Sequence, residues 1–509
     1  MFIPLTVNDF LDRAATVYPD RVAVVDEPQQ PAPNLGSLSY AQLAAMARAQ
    51  AAGLDDLGVG VGARVAVVSH NSARLLASFF GVSGSGRVLV PVNFRLAPEE
   101  VAYIVEHSGA EVLLVDPELD EALVKVTAPH RFVFGADDHV VFPAGRAGQP
   151  WIEDETATAT INYTSGTTAR PKGVQLTHRN LWINAVTFAV HTTISDRDVL
   201  LHTLPMFHAN GWGMPFAVTG LGGRHIVLRK VDGTEILRRV EAHGVTLMCG
   251  APAVLAMVLD AARTWDGPIP GTGRVRVVVA GAPPPTRTIE RIETELGWEF
   301  VQIYGLTETS PLLTINRRRS EWDDMTPIER ARLLGRAGAP AIGIRMDVAE
   351  DGELLARGNV VLEGYWNQPQ ETAAAMRDGW FHTGDGGRLE DGYVTISDRK
   401  KDVIISGGEN VSSIEVEDAI AGHPHVREVA VVGTPDERWG EAVTAIVVTD
   451  GSAMSAEDVI AHCREHLAGY KCPKRVEFRD QLPRTATGKL QKFLIRKEFW
   501  AGQDRTIGG

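Results

Sequence analysis

Short apolar runs alternate with longer amphipathic stretches along most of the chain. Strand-like runs lie at 64–69 (RVAVVS), 88–92 (VLVPV), 111–116 (EVLLVD), 276–280 (RVVVA) and 299–304 (EFVQIY). Continuous apolar runs of this length predict strands covered on both faces, as in parallel sheets. Between them, stretches such as 39–54 and 98–107 carry apolar residues at helical spacing. The alternation predicts an α/β fold with mostly parallel sheets. From 352 to 396 the pattern breaks into short segments divided by Gly, Asp and Asn, which predicts a β-rich region with tight turns. A β-α-β pattern then returns, with helices expected at 412–421 and 456–467 and strands at 426–432 and 442–449. The polar run Ser397-Asp398-Arg399-Lys400-Lys401-Asp402 is a plausible boundary before it, although charge alone would make it an ordinary solvated turn.

Composition narrows the picture. A chain of 509 residues suggests about three globular units at roughly 150 residues each. With 44% hydrophobic residues it can bury a large core, so disorder is excluded. Cys249, Cys463 and Cys472 are too few and too scattered for a disulfide scaffold, and none forms a CxxC metal pair. A net charge of -14 argues against nucleic acid or an acidic membrane surface as partner. It leaves room for a local basic pocket. The N-terminal MFIPLTVNDFLDRAATVYPDR lacks the basic start and apolar run of a signal peptide. No stretch reaches the ~18 apolar residues of a membrane span. The expectation is a cytoplasmic protein with no integral membrane segment.

The most informative segment is Asn162-Tyr163-Thr164-Ser165-Gly166-Thr167-Thr168-Ala169-Arg170-Pro171-Lys172-Gly173-Val174, ahead of a helical pattern at 177–190. Small residues let backbone N–H groups approach an anion, and hydroxyls add donors. Thr164, Ser165, Thr167 and Thr168 supply the hydroxyls, and Arg170 and Lys172 the charge. It is not a Walker A loop, because Gly173 rather than Ser or Thr follows Lys172. A flexible surface turn is the plain alternative. So many hydroxyls and cations in one short run favour a polyphosphate cradle.

TSGTTARPKGV resembles the phosphate-binding signature of the adenylate-forming superfamily of acyl-CoA synthetases, luciferases and peptide-synthetase adenylation domains. Ala169 stands where the family usually has Gly. The resemblance continues in order along nearly the whole chain. Tyr304-Gly305-Leu306-Thr307-Glu308-Thr309-Ser310 is similar to the YGxTE motif, and Gly379-Trp380-Phe381-His382-Thr383-Gly384-Asp385 to GWFxTGD. Asp398-Arg399-Lys400-Lys401-Asp402 is similar to the hinge segment, with Ser406-Gly407-Gly408-Glu409-Asn410 after it, and Pro483-Arg484-Thr485-Ala486-Thr487-Gly488-Lys489 to the C-terminal PRTxTGK.

The resemblance implies two half-reactions. A carboxylate attacks the α-phosphate of ATP, giving an acyl-adenylate and pyrophosphate. A thiol, usually of coenzyme A, then takes the acyl group and releases AMP. An anion meets a polyanion in the first step, so catalysis rests on charge neutralisation and positioning. Glu308 is implied as the Mg²⁺ ligand, a hard cation with carboxylate oxygen. Thr307 is implied at the α-phosphate, with Gly305 beside it, and Tyr304 against the adenine with Gly281-Ala282-Pro283 as the opposite wall. Asp385, helped by Arg399, is implied on the ribose hydroxyls, the logic of the acid in dinucleotide sites. Lys489 reaches the α-phosphate and carboxylate. Lys400 is the implied hinge, about which the small domain swings Lys489 away and brings Gly407, Gly408, Glu409 and Asn410 toward the pantetheine channel.

Leu204-Pro205-Met206-Phe207-His208-Ala209-Asn210-Gly211-Trp212-Gly213 reads as a shaped loop beside a pocket. The resemblance places His208 near the bound carboxylate and Trp212 at a gating position of long-chain enzymes. The stretch 312–338, with Asn316-Arg317-Arg318-Arg319 and Trp322, also resembles that branch. Gly213, Gly281 and Leu306 complete the expected pocket. An apolar, glycine-lined pocket suits fatty and aryl acids alike.

The combined expectation is an α/β protein with a large N-terminal domain of parallel-type sheets, helices and a β-rich subdomain at 1–398. A small mobile α+β domain at 399–509 carries Lys489. The expected function is an ATP-dependent acyl-CoA ligase for a medium- or long-chain fatty acid or an aryl acid, with a homodimer left open. Two alternatives are transfer to a carrier-protein thiol or other nucleophile, and a nucleotide-binding module without turnover.

Overall fold

The computed structural model describes residues 1–164, 170–399, 403–407, 409–436, 438–484 and 490–501, the side chains of Asp398 and Arg399 excepted. Ser165–Thr168, Lys400, Gly408 and Lys489 therefore lie outside the described residues.

Two sheets frame the large domain. One runs from edge to edge as Ala339–Pro340, Leu312–Arg317, Glu299–Gly305, Arg276–Val279, Leu247–Gly250, Val199–Leu201, Arg224–Ile226, Val22–Val25 and Ser37–Ser39. From Glu299–Gly305 to Val22–Val25 every pairing is parallel, and only the edges are antiparallel. The other runs as Gly364–Tyr365, Lys172–Thr177, Thr158–Thr164, Val88–Val92, Arg64–Val68, Ala110–Val115 and His130–Val133. Its parallel part extends from Thr158–Thr164 to His130–Val133. Val88–Val92 is buried at every position, as its unbroken apolar run requires. Helix Ala73–Gly81 is also buried all round, so it packs on every side rather than along one stripe. Helix Tyr40–Asp56 starts at a reciprocal Ser39/Gln42 cap.

The β-rich region is an antiparallel sheet of Arg345–Val348, Glu353–Arg357, Trp380–Glu390 and Met376–Arg377, with Tyr393–Arg399 paired to Trp380–Glu390. The C-terminal domain has its own sheet, built on the long hairpin Val426–Asp436 and Gly440–Thr449. Helices Ser413–Ala421 and Ala456–His466 share a separate core there, around Val416, Val431, Val443 and Val459. Elements predicted from periodicity fall within a few residues of those observed. The main extension is the strand expected at 426–432. It continues to Asp436 because Pro435, a residue that reads as a break, still pairs with Glu441 in the antiparallel ladder.

The two parallel sheets meet at their carboxyl ends, and buried polar groups close that seam. Asn71 follows strand Arg64–Val68. Its Nδ2 lies 2.9, 3.1 and 3.2 Å from the carbonyl oxygens of His202, Leu204 and Leu228, and its Oδ1 accepts from Met206 N at 2.8 Å. Arg229 donates from Nη1 and Nη2 to both Asp116 oxygens at 2.8 and 3.0 Å, and to Glu118 at 2.8 Å. Burial alone would raise the Asp116 carboxyl, but the Arg229 hydrogen bonds and charge outweigh it and hold it below the usual carboxylate range.

Replacing Arg229 by Leu would leave a buried, unpaired carboxylate. Arg229→Leu is expected to cost about 3–5 kcal/mol near neutral pH, read from urea unfolding. Asp116 has a lowered folded value, so the pair's contribution is full above the ordinary carboxylate range and is lost as pH falls through that lowered value. The gap between the two proteins should therefore narrow in acid. An unchanged midpoint at neutral pH would contradict this account.

Candidate active site

The site grows from the carboxyl ends of both sheets, where open α/β folds place their ligand crevices. Strand Glu299–Gly305 delivers Tyr304, which is buried and donates its hydroxyl to Asp385 Oδ2 at 2.9 Å. Asp385 lies in Trp380–Glu390, also buried, and its backbone is in register with Arg399. On the next strand, Val279 pairs with Gln302, so the turn at Gly281, Ala282 and Pro283 leaves the sheet beside Tyr304. Gly281 has φ +93°, a left-handed value that favours glycine. At Gly305 a Cβ would fall 1.5 Å from the Pro311 carbonyl oxygen, so no side chain fits. After Leu306, Thr307–Thr309 form a single 3₁₀ turn that carries Glu308.

The glycine-rich loop links two antiparallel strands, with Thr164 opposite Lys172. Lys172 lies 5.2 Å over the Tyr365 ring and is ion-paired with Glu371. Tyr365 in turn donates its hydroxyl to Glu308 Oε1 at 2.9 Å. Burial, then the Glu308 charge, pushes the Tyr365 phenol far up, so it stays a proton donor. The predicted Lys172 and Glu308 are thus brought together through a residue the sequence reading missed. Its only sequence signal was an aromatic pair, Tyr365-Trp366, set among turn formers. Glu371 gave no signal at all in an exposed helix start.

The acyl-loop candidates adopt an unusual backbone. Ala209, Asn210, Gly211, Trp212 and Gly213 have φ of 43, 53, 57, 58 and 79°, one turn of left-handed helix. L-residues resist this by roughly 1–2 kcal/mol each. Buried amides hold it. Asn162 Nδ2 donates to Asn210 Oδ1, Asn210 Nδ2 to Thr160 Oγ1, and Thr160 Oγ1 to Asn162 Oδ1, each at 3.0 Å. This closed ring polarises each member in turn. Asn184 Nδ2 donates to the Trp212 carbonyl at 3.3 Å while its Oδ1 accepts from Leu312 N at 3.1 Å. Trp212 ends up 4% exposed in the main core, and His208 stays half-buried at the loop's start. Leu306 packs against the same core.

In the small domain, Gly407 has φ +62° and donates its N–H to the Trp439 carbonyl at 2.8 Å, while Glu409 and Asn410 are exposed on strand Glu409–Val411. That domain touches the large one where Thr286 N and Oγ1 donate to Asp418 at 2.8 and 3.1 Å, and Arg287 Nη1 to the Gly422 carbonyl at 3.0 Å.

Two largely parallel sheets that meet at their strand ends, with a small domain docked on the larger one, are the architecture of an adenylate-forming enzyme. The profile described as "AMP-binding enzyme" matches residues 11–366, and that of the "AMP-binding enzyme C-terminal domain" matches 415–489. The chain belongs to this family, in its acyl-CoA synthetase branch, and is an AMP-forming acid–CoA ligase. It is 38% identical to 4-hydroxybutyrate–CoA ligase 2 of Metallosphaera sedula, covering 97% of this chain and 94% of that one. It is 37% identical to 2-methylpropanoate–CoA ligase CCL4 of Humulus lupulus, over 97% and 95%. Among solved structures, ATP-bound MatB from Rhodopseudomonas palustris superposes with a TM-score of 0.83 at 29% identity, covering 97% and 99%. Among the described residues, no helix is long and apolar enough to cross a membrane.

A Cβ on Gly213 would sit 2.4 Å from Asn184 Nδ2, at a positive φ. Gly213→Ala should lower stability by about 1–3 kcal/mol, seen as a lower melting temperature. A melting curve that overlays the wild type would show that the amides do not hold this turn.

Proposed function

We propose that the protein activates a short-chain carboxylic acid as its acyl-adenylate and passes the acyl group to coenzyme A. The observation that carries the chemistry is the run Lys172–Tyr365–Glu308 beside the Tyr304–Asp385 pair. A cation from the glycine-rich segment and a carboxylate are brought together there, next to an aromatic ring that is hydrogen-bonded to a second carboxylate. In this reading Trp212, a large side chain in a turn stiffened by the Thr160–Asn162–Asn210 ring and by Asn184, leaves room only for a short acid. The relatives named for 4-hydroxybutyrate, 2-methylpropanoate and acetate point the same way.

In this reading residues 1–398 hold ATP and acid, and 399–509 form the mobile unit hinged at Lys400. Polyphosphate displaces Glu371 from Lys172, so an exposed ion pair is exchanged for a charge-assisted contact to phosphate. Tyr304 and Gly281–Pro283 flank the adenine. The Tyr304 hydroxyl fixes one Asp385 oxygen and so aims the carboxylate at the ribose. Glu308, oriented by Tyr365, offers the hard oxygen that suits Mg²⁺. When bound, Mg²⁺ would draw negative charge off the phosphate oxygens. With that repulsion lowered, the acid oxygen bonds to the α-phosphorus and the bond to pyrophosphate breaks, beside Thr307 and Lys489. The thiol sulfur then bonds to the acyl carbon, and AMP leaves with the shared oxygen. Gly407, Glu409 and Asn410 line its approach. His208 borders the acid. The setting is cytoplasmic, consistent with three buried free cysteines.

A pyrophosphate-release screen tests the acid. Short acids should be turned over best, ahead of medium- and long-chain, aryl and amino acids. Trp212→Gly should move the preference toward longer chains by at least ~10-fold. No pyrophosphate with any acid would end the proposal. Pyrophosphate with AMP release that ignores coenzyme A would redirect it to another acceptor. For the mobile lysine, Lys489→Ala should lose most adenylation while ATP binding, measured calorimetrically, is mostly retained. Full adenylation in that variant would refute its role.

A further inference from the structure

The small domain carries a histidine cluster that ligation does not use. Helix Ala456–His466 presents His462, Glu465 and His466 at i, i+3 and i+4, which share one face. Each offers one ligand atom, and those atoms all lie within 4.8 Å of one another. His423, in the turn after helix Ser413–Ala421, faces the same place. Its ring centre is 5.2 Å from that of His462, and His462 is 4.7 Å from His466. Imidazoles that share a tetrahedral ion at about 2.1 Å have ring centres roughly 5 Å apart.

The surroundings of His462 fit the same role. Its Nε2 donates to the Ala419 carbonyl at 3.1 Å, which leaves the lone pair on Nδ1. A carbonyl on the second nitrogen is the usual outer support of a metal-binding histidine. His423 Nδ1 accepts a long 3.3 Å hydrogen bond from His425 N, a contact an ion can displace.

We infer that His462, Glu465 and His466, with His423 able to close the fourth position, bind one Zn²⁺-type cation. Imidazoles with a single carboxylate suit zinc and its neighbours, not Mg²⁺. The ion would join helix Ala456–His466 to the turn that begins at Gly422, whose carbonyl holds Arg287 of the large domain.

The test is calorimetric titration of the chelator-treated full chain with zinc chloride, beside the double variant His462→Ala/His466→Ala. The wild type should bind one equivalent, and the variant at least ~10-fold more weakly. Cobalt(II) should give the visible absorption of a four-coordinate site in the wild type alone. Acid-dependent pyrophosphate release without zinc should be equal in both, which shows the variant is folded. Equal zinc affinity in the two proteins, or no binding by the wild type, would overturn the inference.

Discussion

The structure depends on how two parallel sheets end. A parallel strand can be buried on both faces along its length, but its carboxyl end must hand its polar backbone to something. Here both sheets end at one seam, and no water-filled gap could satisfy that seam without splitting the core. Asn71 takes up the carbonyl groups of the opposing sheet, and the Arg229–Asp116 pair spans the two. These groups are buried, so they are costly unless matched. Matched as they are, they fix one sheet against the other.

Everything chemical follows from that arrangement. The turns that leave the strand ends run into the seam, so the Gly281 turn lies beside Tyr304 and the 204–213 loop is tied to strand Thr158–Thr164. The acidic net charge of the protein is no obstacle to a local cation, because charge is placed residue by residue. Lys172 sits on an aromatic ring with an exposed carboxylate as its resting partner. A partner with access to water is easily exchanged.

Much of this was legible in the sequence. The alternation of apolar runs gave the parallel sheets, because burial on both faces leaves no polar face to show. The ordered motifs singled out Tyr304, Asp385, Lys172 and Glu308, and the fold pairs the first two directly and links the last two through Tyr365. What stayed hidden was cooperative. Tyr365 matters through Glu308, and nothing local to 365 says so. Thr160, Asn162 and Asn210 are polar residues in apolar surroundings, a sign of some role, but their ring closes only in three dimensions. The strand expected to end at 432 runs on through Pro435, because long hairpin pairing outweighs one missing donor.

The turn at 209–213 has the hand opposite to that which its own residues prefer. Its shape is therefore not written in the loop. It is imposed by Thr160, Asn162 and Asn184, which come from a strand and a helix elsewhere in the chain. The inheritable unit of this loop's shape is then the loop together with its amide scaffold. A loop moved without Thr160, Asn162 and Asn184 would lose the partners that hold its hand, whereas a change of side chain on the intact scaffold would leave its backbone in place.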